Sequence, residues 1–423
     1  MILKRLFLIF TVLMIGKVAF ESIKPSETAL HKAIRTKDIE TIKKLISKKD
    51  INSPNQHGST LLHMAASMGS KDFAEILIDR KAMVNIQTPV GMTALHLAVR
   101  GHSKNYEGTV ETLLKNGADP ELKDKYGKKP LDEALHNPNY RILEMFERYG
   151  QKLGDIPLYF AVYHDRSNTP EKIKQAQDKI DFLIKRGATL TDRDEKGRTA
   201  LAVAAHARDT AALTVLLNMG ANLNGPGNPL HNAAEGNHLA AIELLIKNKA
   251  DINQRDGNGL TPFLTAVKWD REAIVSYFLE GVTDINDPDN PDFSALSIAA
   301  KNRHSSVLKT LLLHIKDKPR LNEALIEAAK SRNVKNAKIL LEAGANINAQ
   351  DKNGMTALHY AAQWKPFIVD SSGLGNDTEP SVLIALLPQK PDKSIKNNQN
   401  KTALDLAKEG GEKQVIKLLE NPN

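Results

Sequence analysis

The sequence predicts an all-α repeat solenoid, with one helix–turn–helix and one hairpin loop per repeat. Three observations point there. One phrase recurs along the 423 residues, and its cleanest copy is LLEAGANINAQDKNGMTALHYAA, Leu340 to Ala362. Copies aligned on the first leucine of the TALH-type tetrad fall at Leu30, Leu62, Leu95, Leu131, Leu158, Leu201, Leu230, Phe263, Leu296, Leu325, Leu358 and Leu404, and five of these eleven intervals are 32 or 33 residues. Self-similarity at that period is the mark of stacked repeats. The composition, 41% hydrophobic and 26% charged, excludes a disordered or multi-spanning chain.

Each part of the phrase has a local cause. Thr356 is placed to cap a helix, its hydroxyl accepting an otherwise unpaired backbone N–H. Leu358, Ala361 and Ala362 give that helix one apolar face, with two residues small enough for close packing. Leu340 and Leu341 end a second helix, and Gly344 supplies the left-handed residue that turns the chain out. Asn346 to Gly354 is rich in Asn, Asp and Gly, as a protruding hairpin or turn requires. On these residues the segment resembles the ankyrin repeat, whose T-P-L-H-x-A phrase and 33-residue period it shares. The resemblance covers nearly all of the chain after residue 25. It implies a protein-binding scaffold, and a histidine in the tetrad that hydrogen-bonds toward the adjacent hairpin.

In chain order, Met1 to Arg5 is a short positive stretch, followed by eleven uncharged residues, Leu6 to Gly16. That is too short to span a bilayer and suits a secretory leader. Residues 1–22 therefore read as a signal peptide or an uncleaved N-terminal anchor. Removing residues 1–19 takes away Lys4, Arg5 and Lys17 and lowers the net charge from +8 to +5, a mild excess rather than a nucleic-acid-binding stripe. Residues 23–152 hold repeats one to four, with a small insertion at Ser103–Gly108 between the helices of repeat three. Residues 153–191 hold a divergent fifth repeat, in which Asp165 to Gln177 lengthens the link to the second helix. Repeats six to twelve fill residues 192–423. The hairpin of repeat seven is cut to Gly225–Asn228, repeat ten lacks a full hairpin, and residues 365–380 form an insertion loop. The last repeat has a charged second helix, as a terminal cap facing water should.

Several chemistries are excluded. There is no cysteine, hence no disulfide, thiolate nucleophile or Cys-ligated zinc. His31, His63, His96, His231 and His359 sit one repeat apart in the tetrad, too far for shared coordination, and no H-E-x-x-H pair exists. Asp287, Asp289, Asn290 and Asp292 alternate oxygen ligands but lack the glycine and glutamate of a calcium loop, and read as a hairpin tip. Hydrolase, kinase and nucleotide-binding motifs are absent. No catalytic residue, cofactor, metal or small-molecule substrate is expected.

The informative residues are the variable ones. In ankyrin repeats the two positions after the A-A pair face the concave groove. Here that places Arg100, Tyr163 and His206 along the first half of the groove. Lys268, Trp269, Lys301, Lys330, Gln363 and Trp364 follow. The only two tryptophans share one repeat position, three repeats apart, and tryptophan is enriched at binding hot spots. The neighbours are mostly basic, with Glu235 as the main exception, which suits an acidic partner segment. The hairpin tips Lys125, Tyr126, Glu195, Lys196, Asn258, Lys352 and Asn353 read first as solvated turns and second as a further contact surface. The expected function is an exported scaffold, of bacterial type by its Lys, Asn and Ile usage, that binds a protein partner and no nucleic acid. The alternative is a periplasmic or membrane-tethered scaffold held by an uncleaved leader, the only route to membrane contact.

Overall fold

The computed structural model describes residues 36, 40–41, 51–101, 105–151, 153, 156–162, 169–280, 295–303, 305–314, 318–365 and 379–421. The leader, most of the first repeat, His31, Tyr163, the Asp287–Asp292 run and residues 366–378 lie outside this set.

Five inner helices start where the sequence places a capping threonine. The side chains of Thr93, Thr199, Thr261, Thr356 and Thr402 each accept the N–H of the residue three further on, and all five residues hold extended backbone. Several outer helices end on left-handed residues. Gly344, at φ +94°, lets its own N–H reach Leu341 O and the N–H of Ala345 reach Leu340 O, both at 3.0 Å. Lysine does the same work at Lys81 and Lys249, with φ of 73° and 68°, against the steric preference of a residue with a Cβ.

Inner helices pack on inner helices and outer on outer. In the first compact unit, which ends at Thr189, Leu61–Ser67, Ala94–Val99 and Pro130–Leu135 form the inner row, and Lys71–Asp79, Asn105–Lys115 and Arg141–Arg148 the outer. In the second unit, from Leu190 on, the inner row runs Ala200–Ala207, Pro229–Glu235, Pro262–Lys268, Ala295–Lys301, Lys318–Lys330, Ala357–Ala362 and Ala403–Gly410. Paired small residues let these helices approach: Ala204, Ala205, Ala233, Ala234, Ala299 and Ala300 are fully buried. The leucines between them, such as Leu201, Leu230 and Leu296, are no more than 1% exposed, and each such burial stabilises by about 1.5–3 kcal/mol. Among the described residues there is no strand. The hairpins are turns, and one isolated bridge joins Arg193 to Thr199.

Within each unit, polar side chains tie several repeats to the one before. The carbonyls that end an inner helix have no helical partner, and the next repeat supplies a donor. Tyr106 donates to Ser67 O, Asn137 to Val99 O and Gly101 O, Lys179 to Leu135 O and Asn137 O, and Arg271 to Glu235 O. His238 Nδ1 reaches Ala205 O, and Asn333 reaches Ala300 O. Lys179 is completely buried in doing so, its ammonium facing two carbonyl oxygens at 2.8 and 2.9 Å.

Three local expectations change. Asp165–Gln177 is not a link along its described part: Pro170–Ile184 is one 15-residue helix. Thr169 caps it and Pro170 occupies its first turn, where the missing N–H costs nothing. Among the described residues of repeat five, a 3-10 turn, Leu158–Ala161, stands where the inner helix is expected. In repeat three, Asn105–Gly108 belongs to the first turns of the outer helix rather than to an insertion loop.

Candidate binding groove

The structure treats the two tryptophans differently. Trp269 caps the inner helix Pro262–Lys268 and is 43% exposed. Trp364 holds the same register in repeat eleven and is 6% exposed. It is buried rather than the open anchor that the sequence predicts, and it lines one cavity with Tyr360, Pro380 and Leu383, the last two from the segment that enters the outer helix Ser381–Leu386. Lys330 and Gln363 line the same cavity of about 260 Å³.

The basic lining is also smaller than its residue count. Arg100 is half-buried and lies 2.9 Å from Glu133 Oε1. Burial pushes the Glu133 carboxyl up, but the Arg100 hydrogen bond and charge outweigh it and hold the pKa below the ordinary value. Lys330 is 2.8 Å from Glu327 and 3.8 Å from Asp351, with its ammonium 4.7 Å over the Tyr360 ring. These cations are already neutralised within the chain. Lys196, Lys268 and Lys301 are exposed, and none has an ion-pair partner among the described residues.

The tetrad histidines do what the resemblance implies. In repeats two, three and eleven, Nε2 of His63, His96 and His359 lies 3.0–3.2 Å from the carbonyl oxygens of Met92, Lys128 and Lys401 in the next hairpin. That carbonyl can only accept, so Nε2 carries the hydrogen and Nδ1 accepts from the threonine N–H and hydroxyl. The threonine hydroxyls lie 2.8, 2.9 and 2.8 Å away. Burial lowers the pKa of all three imidazoles and of His206 and His231, so they are neutral at pH 7. His206 is half-buried at the end of its inner helix, and its Nδ1 has no partner among the described residues.

Lys268 and Trp269 line an open cavity of about 350 Å³ together with the hairpins of repeats six and eight. Lys196 and Arg198 come from the hairpin of repeat six, Asp256 and Asn258 from that of repeat eight, and His231, Asn232 and Glu235 from the inner helix of repeat seven. Sequence reasoning named Lys268, Trp269 and Glu235 as groove residues but left Lys196 and Asn258 as solvated turns. It missed His231 and Thr265 as lining residues, although the shortened hairpin of repeat seven was a visible signal. Among the described residues no group of three His, Asp or Glu side chains is placed to hold a metal ion. No helix there is long and apolar enough to cross a membrane.

Comparison with known proteins places this architecture. The family model for ankyrin repeats in three copies matches residues 9–88, 30–124, 158–256, 230–322 and 296–370. The human transient receptor potential cation channel subfamily A member 1 is 24% identical over a 427-residue alignment, which takes in 79% of this chain and 38% of the channel. The ankyrin repeat domain-containing protein SAT10 of Stachybotrys chartarum is 27% identical over 352 residues, 77% of this chain and 18% of that protein. The chain thus spans well under half the length of either relative. Among solved structures, the human ASB11 ankyrin repeat domain aligns at a TM-score of 0.39 and 23% identity, covering 48% of this chain and 90% of that domain.

Proposed function

The chain belongs to the ankyrin-repeat family, and on that premise we propose that it is a protein-binding scaffold whose main recognition face is the groove around Trp269. Ankyrin repeats as a class mediate protein–protein interaction. The observation that carries the finer reading is the exposed indole of Trp269, set beside lysines with no ion-pair partner among the described residues. A large exposed aromatic surface next to a concavity is where binding energy concentrates. Lys196, Lys268 and Lys301 add positive charge that an acidic partner segment would meet, chiefly speeding encounter and fixing register.

A pull-down compares wild type with Trp269→Ala and Lys268→Glu, and with Met83→Ala as a control at an exposed apolar residue of the first unit (62% exposed). Partners retained by the control and lost from both groove variants support the reading; partners lost from none overturn it. Export forms a second part of the proposal, supported by the uncharged run Leu6–Gly16 after the positive Lys4 and Arg5. N-terminal sequencing of the mature chain checks it: a start after the leader supports secretion, and an intact Met1 in a membrane fraction supports a tethered scaffold. An intact Met1 in the soluble fraction overturns both.

A further inference from the structure

Repeat seven lacks a finger. Eleven residue steps lead from Ala188 to Thr199 and from Ala250 to Thr261, but only seven from Ala221 to Asn228. The neighbouring fingers are closed by one pattern. Asp194 N–H donates to Arg198 O and Gly197 N–H to Asp194 O; Asp256 N–H donates to Leu260 O and Gly259 N–H to Asp256 O, all at 2.9 Å. Repeat seven has two single turns instead, Gly225 N–H to Asn222 O and Asn228 N–H to Gly225 O. The stump is pressed onto repeat six. A Cβ on Gly227, at φ +89°, would stand 2.7 Å from Arg198 Cα. The missing residues leave the notch between the fingers of repeats six and eight.

The inner lining of that notch holds polar groups without partners among the described residues. His231 Nε2 lies 2.7 Å from Leu260 O, so it carries the hydrogen and leaves Nδ1 as a lone-pair acceptor. In repeats two, three and eleven a threonine serves that nitrogen. Asn228 stands there in repeat seven, in left-handed backbone at φ +45°, and Nδ1 has no partner among the described residues. The Thr265 hydroxyl is also unpartnered, and both side chains are 5% exposed. Glu235 adds a half-buried carboxylate with no ion pair among the described residues, whereas Asp256 Oδ1 already accepts the N–H groups of Asn258 and Leu260 at 2.8 and 2.9 Å in its own turn. On the positive side, the Arg198 guanidinium is engaged by Asp194 at 2.7 Å, and Lys196 and Lys268 are exposed, where water satisfies them. The half-buried Glu235 carboxylate is therefore the group in want of a counter-charge.

We infer that this notch takes the guanidinium of an arginine on the partner segment, flanked by acidic residues that reach Lys196 and Lys268. The inference rests on the groove reading above and names the chemistry of its ligand. A guanidinium supplies five N–H donors in a plane, can stack on the indole of Trp269 and can pair with Glu235 through its fork. An ammonium offers fewer donors and no plane to stack. Arg271 holds Glu235 in position by donating to its carbonyl at 2.7 and 3.1 Å.

The test selects peptides from a random twelve-residue phage-displayed library on the full-length chain and measures their Kd by fluorescence anisotropy. Selected peptides should carry an arginine between acidic residues. Replacing that arginine by citrulline, the neutral isostere, should weaken binding about tenfold or more, and so should Glu235→Gln or Trp269→Ala in a chain of unchanged melting temperature. Peptides that need Trp269 but contain no arginine, or that bind Glu235→Gln as tightly as wild type, overturn the guanidinium site and leave the groove reading standing. Peptides indifferent to Trp269, or no selection at all, overturn both.

Discussion

Repeats eight and eleven hold a tryptophan at one register position and use it in opposite ways. In repeat eleven the inner helix stops at Ala362 and Trp364 packs under the entry to its own outer helix, next to Pro380 and Leu383. In repeat eight the helix runs on to Lys268, and Trp269 stands at its end beside the gap left by the short finger of repeat seven. The same contrast holds for the histidines. His359 has a threonine on one ring nitrogen and a carbonyl on the other; His231 has only the carbonyl. Repeat eleven engages its polar and aromatic groups with itself and with the repeats on either side, and the region around repeat seven leaves them open. The proposed binding site is a place where the repeat pattern has been left incomplete.

That contrast can be broken most directly at the tryptophans. Trp364→Ala should destabilise by about 3–5 kcal/mol, as emptying a core aromatic site does. Trp269→Ala should cost less than about 1 kcal/mol. Because stacked repeats unfold locally as well as globally, amide hydrogen exchange across Ala357–Ala362 and Pro262–Lys268 is the suitable readout. Equal losses would show that the two residues are equivalent after all.

The histidines sharpen it with a smaller effect. His359→Ala removes hydrogen bonds at both ring nitrogens and should cost about 2–3 kcal/mol, and His231→Ala about 1 kcal/mol less, since one nitrogen has no partner to lose. Acid should erode the advantage of His359. Burial holds its folded pKa below the ordinary 6.5, so the unfolded chain binds the proton first, and stability present above pH 6.5 is lost as pH falls toward the folded pKa. Melting temperatures at pH 7.5 and pH 5 should therefore converge between wild type and His359→Ala. A gap that widens in acid would mean that this imidazole is charged in the fold.

Much of this was legible in the sequence because each repeat is a local object. Thr356, Leu358 and Gly344 cap, bury and turn for reasons contained within a few residues, and the period tells the chain to stack. The carbonyl ties were not legible. Tyrosine, asparagine, lysine, histidine and arginine each fill the role once or more, and no residue type marks it. The helix Pro170–Ile184 was hidden by its many polar residues, which the apolar period does not pick out.

The sequence by itself determined the ankyrin fold, the threonine caps and left-handed ends of several helices, and the deletion in the finger of repeat seven. Helix caps, small-residue faces and turn chemistry act over distances shorter than one repeat. Tertiary structure decided which groove residues remain free. Whether Arg100 and Lys330 are spent on Glu133 and Glu327, whether a tryptophan is covered, and whether a histidine keeps its second partner depend on what the rest of the repeat and its neighbours place against them. Exposure and electrostatic pairing are properties of such neighbours, and in a stack they come from the adjoining repeat as often as from the residue's own.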